Sequence, residues 1–194
     1  MNELVLGAKK FSMKDQVDFA NFCGDFNSIH LEPIKARKTI PGECIAHGIN
    51  SFLCALEFLS IKKKFLYSNY LINFKGKIPL NQKIIFVLEK NNTLAIRNKH
   101  NKNLVLIQCD GILKSFPSKD KDQFNLSNLE ILDSPLDFDE NNYNIGVPIK
   151  NKYGGQSEYA KILFPSLCQY LGINLVYEIS LISNIIGMQI PGKN

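Results

Sequence analysis

The run from Ile49 to Leu59 constrains this chain most. Ile49, Phe52, Leu53, Leu56, Phe58 and Leu59 fall on nearly every face of a helix, with the small residues Ser51, Cys54 and Ala55 between them. A helix that is apolar all round must be buried all round, so the rest of the chain has to wrap it. The wrapping follows in sequence. Residues 70–78, 83–89, 94–98 and 104–113 read as strands rich in β-branched and aromatic residues. They are separated by Pro79-Leu80-Asn81, Asn91-Asn92 and the polar tip Lys99-His100-Asn101-Lys102. Alternation of apolar and polar residues is clearest in Leu104 to Leu113. An antiparallel sheet curled round one long buried helix satisfies both patterns and predicts an α+β class.

At 194 residues the chain suffices for one good domain, or one and a half small ones. Its composition divides it into a domain over 1–115, a polar connecting segment over 116–142 and a second apolar unit over 143–194. The second unit contains a helix candidate from about Glu158 to Leu171, interrupted by Pro165, and a further apolar stretch from Leu175 to Ile190. The formal charge of +5 is mild and scattered, apart from Lys62-Lys63-Lys64, which reads as a solvated helix end. Without an aromatic-basic ladder this argues against nucleic-acid binding. The five cysteines are odd in number, lack a CxxC pair and lie mostly in apolar surroundings. That pattern fits buried free thiols in a reducing compartment better than disulfides or zinc. Met1 to Gly7 show no charged stretch followed by an apolar run, so no signal peptide is expected, and the stretch 171–190 carries Glu178 and several polar residues. A cytoplasmic protein with no membrane span is expected.

The first quarter carries the chemistry. Ser12 can cap a helix whose first turn holds Asp15 and whose apolar stripe is Val17, Ala20 and Cys23, with Phe19 and Phe22 beside it. Gly24 stops that helix, so Asp25 to His30 follow as a turn, and Pro33 restarts a short helix through Arg37. Asp25 and His30 thus stand five residues apart, and Ala46-His47-Gly48 follows at the mouth of the apolar helix. A carboxylate, an imidazole and a backbone N–H at a helix start are what addition of water to an activated double bond needs. Blander roles compete. Asp25 could be a plain turn residue, His30 a structural histidine and His47 a packed residue, while His100 and Arg37 read as solvated. The three histidines lack a paired metal-ligand spacing, and no phosphate loop or nucleophile elbow occurs.

The series Asp25-x-Asn27-x-x-His30, then Ala36-Arg37-Lys38-Thr39, then Ile45-Ala46-His47-Gly48 resembles the MaoC-like branch of the hotdog-fold proteins, which includes the (R)-specific enoyl-CoA hydratases. The resemblance covers about the first 115 residues in order. It continues weakly at Ile186 to Asn194, so the chain resembles a double-hotdog protein with an incomplete second repeat. In that repeat Phe164-Pro165 stands where His47-Gly48 stands in the first, with no Asp/His pair before it, which implies a noncatalytic unit. The resemblance implies a hydratase or dehydratase, a lyase of acyl-CoA and fatty acid metabolism. It would add water reversibly to a trans-2-enoyl thioester to give the 3-hydroxyacyl thioester. It makes Asp25 the general base, His30 its partner in holding the water, and the Gly48 N–H the donor to the thioester carbonyl. Asn27 and His47 fall on the substrate side, with pinning the turn and packing at the helix start as their alternatives. No metal or cofactor is implied beyond the coenzyme A or acyl carrier that forms part of the substrate, which the mild positive charge suits. A homodimer, or intramolecular pairing of two repeats, is implied as well. Two positions depart from the pattern: Ser28 stands where proline is usual, and Leu56 where active hydratases often carry a serine that orients the aspartate. A hotdog thioesterase and a noncatalytic acyl-binding or assembly subunit are the alternatives.

Overall fold

A computed structural model describes residues 3–113 and 156–187. The connecting segment 116–142, the apolar stretch 143–149 and residues 188–194 lie outside the described residues.

The apolar run forms the central helix. In chain order, strand β1 (Leu4–Lys10) is followed by helix α1 (Met13–Cys23), two single-turn helices α2 (Ser28–Leu31) and α3 (Pro33–Ala36), and the long helix α4 (Gly48–Lys63). Lys62 and Lys63 close the last turn of α4, where cations suit the carbonyl end of a helix. Lys64 then takes a left-handed conformation, with φ of 58°, and turns the chain into the sheet.

Four more strands follow: β2 (Leu66–Phe74), β3 (Lys83–Leu88), β4 (Thr93–Arg97) and β5 (Asn103–Leu113). With β1 they make one five-stranded antiparallel sheet in the order β1-β3-β4-β5-β2. The expected strand over 70–78 is shifted: β2 starts at Leu66 and ends at Phe74, because Phe65-Leu66-Tyr67 enter the sheet directly behind the Lys64 turn. Beyond it, the Lys75 and Gly76 N–H groups both donate to the Leu104 carbonyl, and Ile45 bridges Pro79. Strand β1 is an addition to the four that the sequence pattern announces. Gly7 interrupts its alternation at a bulge, and a Cβ there would sit 2.5 Å from the Phe58 ring. The glycine lets the edge strand lie close against α4.

The sheet covers only part of α4. That agrees with the expected sheet on a long central helix, and helices add cover to the rest of it. Helices α5 (Gln156–Leu163), α6 (Pro165–Leu171) and α7 (Ile173–Gly187) pack against α1 and α4. Pro165 divides α5 from α6 and begins the latter, where its missing N–H costs nothing. Tyr159, Ala160, Phe164, Leu167 and Val176 join the same hydrophobic core as Leu53, Leu56, Phe86 and Ile107. Phe164 packs on Phe19 and Phe22, with ring centroids 6.5 and 6.2 Å away.

One charged residue sits inside the central helix, and its position has a clear cause. Glu57 accepts hydrogen bonds from the backbone N–H groups of Ser166 (2.9 Å) and Leu167 (2.6 Å). Its carboxylate therefore satisfies the N-terminal donors of α6 and ties that helix to α4. All five cysteines are free thiols. Among the described residues no helix is long and apolar enough to cross a membrane.

Candidate active site

The site is built from the stop of α1. Ser12 and Asp15 form a reciprocal capping box, the Ser12 N–H donating to Asp15 Oδ2 at 2.8 Å and the Asp15 N–H to Ser12 Oγ at 3.2 Å. At the other end Gly24 adopts φ of 80° and its N–H donates to the Ala20 carbonyl at 2.7 Å. Only glycine takes that left-handed turn at little cost. The turn sends the side chain of Asp25 inward, where it is 4% exposed.

The stretch that follows is more ordered than a turn. Asp25 Oδ1 accepts the Asn27 N–H at 3.2 Å, and Asn27 Oδ1 accepts the Ile29 N–H at 3.1 Å. Asn27 is thus the cap of α2, and His30 rides on that single helical turn, not on a loop as the turn residues suggested. The same side chains that favour turns also cap helices. His30 Nδ1 lies 2.9 Å from the Ile45 carbonyl. A carbonyl only accepts, so Nδ1 carries the proton and Nε2 presents a lone pair. That Nε2 is 3.9 Å from Asp25 Oδ2. Burial pushes the pKa of His30 below the usual histidine range, which keeps the ring neutral.

His47 lies deeper. It is wholly enclosed, and its ring stacks on that of His30 with centroids 3.9 Å apart. Its backbone N–H donates to Gln16 Oε1 at 3.0 Å. The ring sits between two acceptors, Gln16 Oε1 at 2.9 Å from Nδ1 and the Asp25 carbonyl at 3.1 Å from Nε2, and when neutral it donates to one of them. Burial, with His30 alongside, pushes its pKa down to about 3. Gln16 is fully buried, whereas Val17, assigned to the apolar stripe of α1, is 43% exposed. The helix is rotated so that Gln16 reaches His47. A glutamine beside an apolar stripe was the available signal, and it was not distinctive.

Gly48 begins α4 and lines the cavity. The first N–H groups of a helix have no partner within it. A Cβ on Gly48 would lie 2.6 Å from the Phe74 ring, so glycine is what lets Phe74 close over the helix start. The cavity measures about 430 Å³. Its polar wall is Asp25, His30, the Gly48 backbone and Ser183, and its apolar wall includes Ile45, Ile49, Phe74 and Ile78. Lys75 and Lys77 are exposed residues on its rim. Asp25, His30 and Gly48 are therefore brought together. Asn27 and His47 support the site from behind and do not line the cavity. His100 and Arg37 are exposed, as expected.

The fold also gathers donor atoms of Asp25, His30 and His47 within 4.8 Å of one another, close enough for a cation to bridge them. The spacing of the histidines in sequence gave no sign of this. His47 joins such a set through Nε2 in the tautomer that carries its proton on Nδ1 and donates to Gln16 Oε1.

Sequence reasoning missed Ser183. Its Oγ–H donates to Asp25 Oδ2 at 2.7 Å, across 158 residues of sequence. Its neighbour Asn184 donates Nδ2–H to the Cys23 carbonyl at 2.7 Å. Leu56 is buried in the core and offers no such donor; the hydroxyl beside the carboxylate comes from α7 instead.

No family model and no curated protein matches this sequence. Solved structures do. The chain is similar to a monoamine oxidase regulatory protein from Archaeoglobus fulgius, at TM-score 0.50 and 16% identity, over 60% of this chain and 90% of that one. It is also similar to a MaoC-like dehydratase from Rhodospirillum rubrum, at TM-score 0.48 and 10% identity, over 60% of this chain and 92% of that one. An (R)-hydratase from A. caviae involved in PHA biosynthesis matches at TM-score 0.44 and 21% identity, over 56% of this chain and 94% of that one. At these identities the likeness concerns architecture alone: this chain has the hotdog fold.

Proposed function

We propose that this chain is a hydratase or dehydratase of acyl thioesters, adding water reversibly to a trans-2-enoyl thioester. One observation carries the reading. Asp25 Oδ2 and His30 Nε2 face each other at 3.9 Å on a cavity wall to which the Gly48 backbone also belongs. That separation is too long for a direct hydrogen bond and suits one water about 2.8 Å from each group. Both groups are acceptors, so the water gives each a hydrogen and turns its lone pair toward the cavity.

The chemistry follows from that orientation. Asp25 takes a proton as the water oxygen bonds to the β-carbon. The double-bond electrons move toward the thioester carbonyl, whose developing charge the Gly48 N–H and the positive end of α4 stabilise. A proton is then delivered to the α-carbon, so that H and OH have been added across the double bond. Neutral His30 holds the water and relays the proton. Dehydration is the same path reversed. The apolar wall suits an acyl chain, and the rim lysines suit the phosphates of coenzyme A or an acidic carrier protein. The reading carries with it a cytoplasmic protein of fatty acid metabolism that is a homodimer or pairs two hotdog units within one chain.

Crotonyl-CoA tests it. Loss of the enoyl absorbance without release of free thiol is the expected result, with Asp25→Asn slower on the order of a hundredfold. Thiol release would mean a thioesterase instead. Silence on both would leave a noncatalytic acyl-binding subunit.

A further inference from the structure

Resting on the hydratase reading, we infer that Ser183 is the residue that positions the catalytic carboxylate, so that α7 is part of the active site and not an accessory to it. The two oxygens of Asp25 are held differently. Oδ1 is fixed locally by the Asn27 N–H at 3.2 Å. Oδ2 is the oxygen that faces both histidines, each Nε2 at 3.9 Å, and it is the one that shares the water with His30. The terminal torsion of an aspartate is broad, so a single bond to Oδ1 leaves Oδ2 free to swing. The Ser183 hydroxyl at 2.7 Å closes that freedom. A bond from a hydroxyl to a carboxylate is among the stronger kinds, and Ser183 is only 4% exposed, so bulk water competes little for it.

The surroundings leave this task to a neutral donor. From α1, Cys23 faces Asp25 with its thiol pushed up by burial to about 12. His30 from α2 and His47 at the head of α4 are both held neutral by burial. A buried carboxylate with neutral neighbours depends on hydrogen bonds to replace its hydration.

Ser183 also behaves unlike the other buried helical serines. Ser51, Ser60 and Ser180 each reach the carbonyl three residues earlier in their own helix, Ser60 also meeting Ser166 Oγ at 2.8 Å. Such back-bonding is the usual resort of a serine inside a helix. Ser183 points away to Asp25. One residue on, Asn184 holds the Cys23 carbonyl. A single turn of α7 therefore grips the Cys23–Asp25 stretch at its backbone and at its carboxylate.

The test uses the full chain with Ser183→Ala and Ser183→Cys, the first removing the donor and the second keeping the side-chain shape with a weaker donor and a slightly larger atom. Hydration of crotonyl-CoA is followed for kcat and KM separately, alongside the thermal midpoint. The expected result in both variants is a kcat lower by roughly tenfold to a hundredfold, a KM changed by less than about threefold and a preserved midpoint. Wild-type kcat in either folded variant overturns the inference and leaves the hydratase reading standing. A joint loss of kcat, KM and thermal midpoint overturns it in favour of a structural role. A wild-type chain silent on crotonyl-CoA overturns both.

Discussion

His47 occupies a place that few histidines hold: fully buried, stacked on a second imidazole and wedged between the Gln16 amide and the Asp25 carbonyl. Its folded pKa of about 3 lies far below the 6.5 of an unperturbed ring, and burial moves His30 in the same direction. The sign of the effect on stability follows. Between these values the unfolded chain binds protons that the folded chain refuses, so lowering the pH favours unfolding. Stability is fully present above about pH 6.5 and is lost as the pH falls toward 3. Denaturant midpoints measured from pH 7.5 down to 4 should fall steadily, and His47→Gln should flatten that slope. An unchanged slope in the variant would remove His47 from the account. Local chemistry made part of this arrangement readable. Asp25, His30 and Gly48 stand in one short stretch of sequence with a glycine stop before them. The stacking of the two histidines was not readable, because it depends on how the start of α4 docks against α1.

Elements were legible where their signals are local. Helix α1 announced itself through Ser12, Asp15 and Gly24, all within its own length, and α4 through a run of apolar residues that has no exposed solution. Strand β1 was hidden because Leu4–Lys10 carries a glycine and two lysines, and its partner β3 comes more than 70 residues later. Glu57 was opaque for the same reason: a carboxylate in a buried helix makes sense only when α6 arrives to be capped. That link yields its own expectation. Glu57→Ala strands the buried Leu167 N–H and the partly buried Ser166 N–H and should cost about 2–4 kcal/mol of stability, read from denaturant midpoints. Crotonyl-CoA hydration should fall with it, since α6 leads into α7 and Ser183. Retained stability would mean that the packing of Phe164 and Leu167 holds the helices alone.

Among the described residues there is one core, and β1 and β2 are the outer strands of the sheet. Leu71 on β2 and Ile112 on its partner β5 are 66% and 59% exposed. An apolar edge of this kind invites pairing with a second copy. Light scattering should give twice the chain mass, and Leu71→Lys should shift it to the monomer; a clean wild-type monomer would refute the dimer. The hotdog architecture was readable from the apolar helix and the strands that follow it. The covering of the second side of that helix by α5–α7 was not, because pattern alone does not say against what an apolar helix packs.

The hydrogen bond from Ser183 to Asp25 has a consequence for the order of biosynthesis. Asp25, His30 and Gly48 leave the ribosome early, and the five strands β1–β5 have all emerged once Leu113 has. The carboxylate acquires its last donor only when residue 183 follows. A nascent chain that has released every strand described above still lacks both the donor to Asp25 Oδ2 and the α7 wall of the cavity.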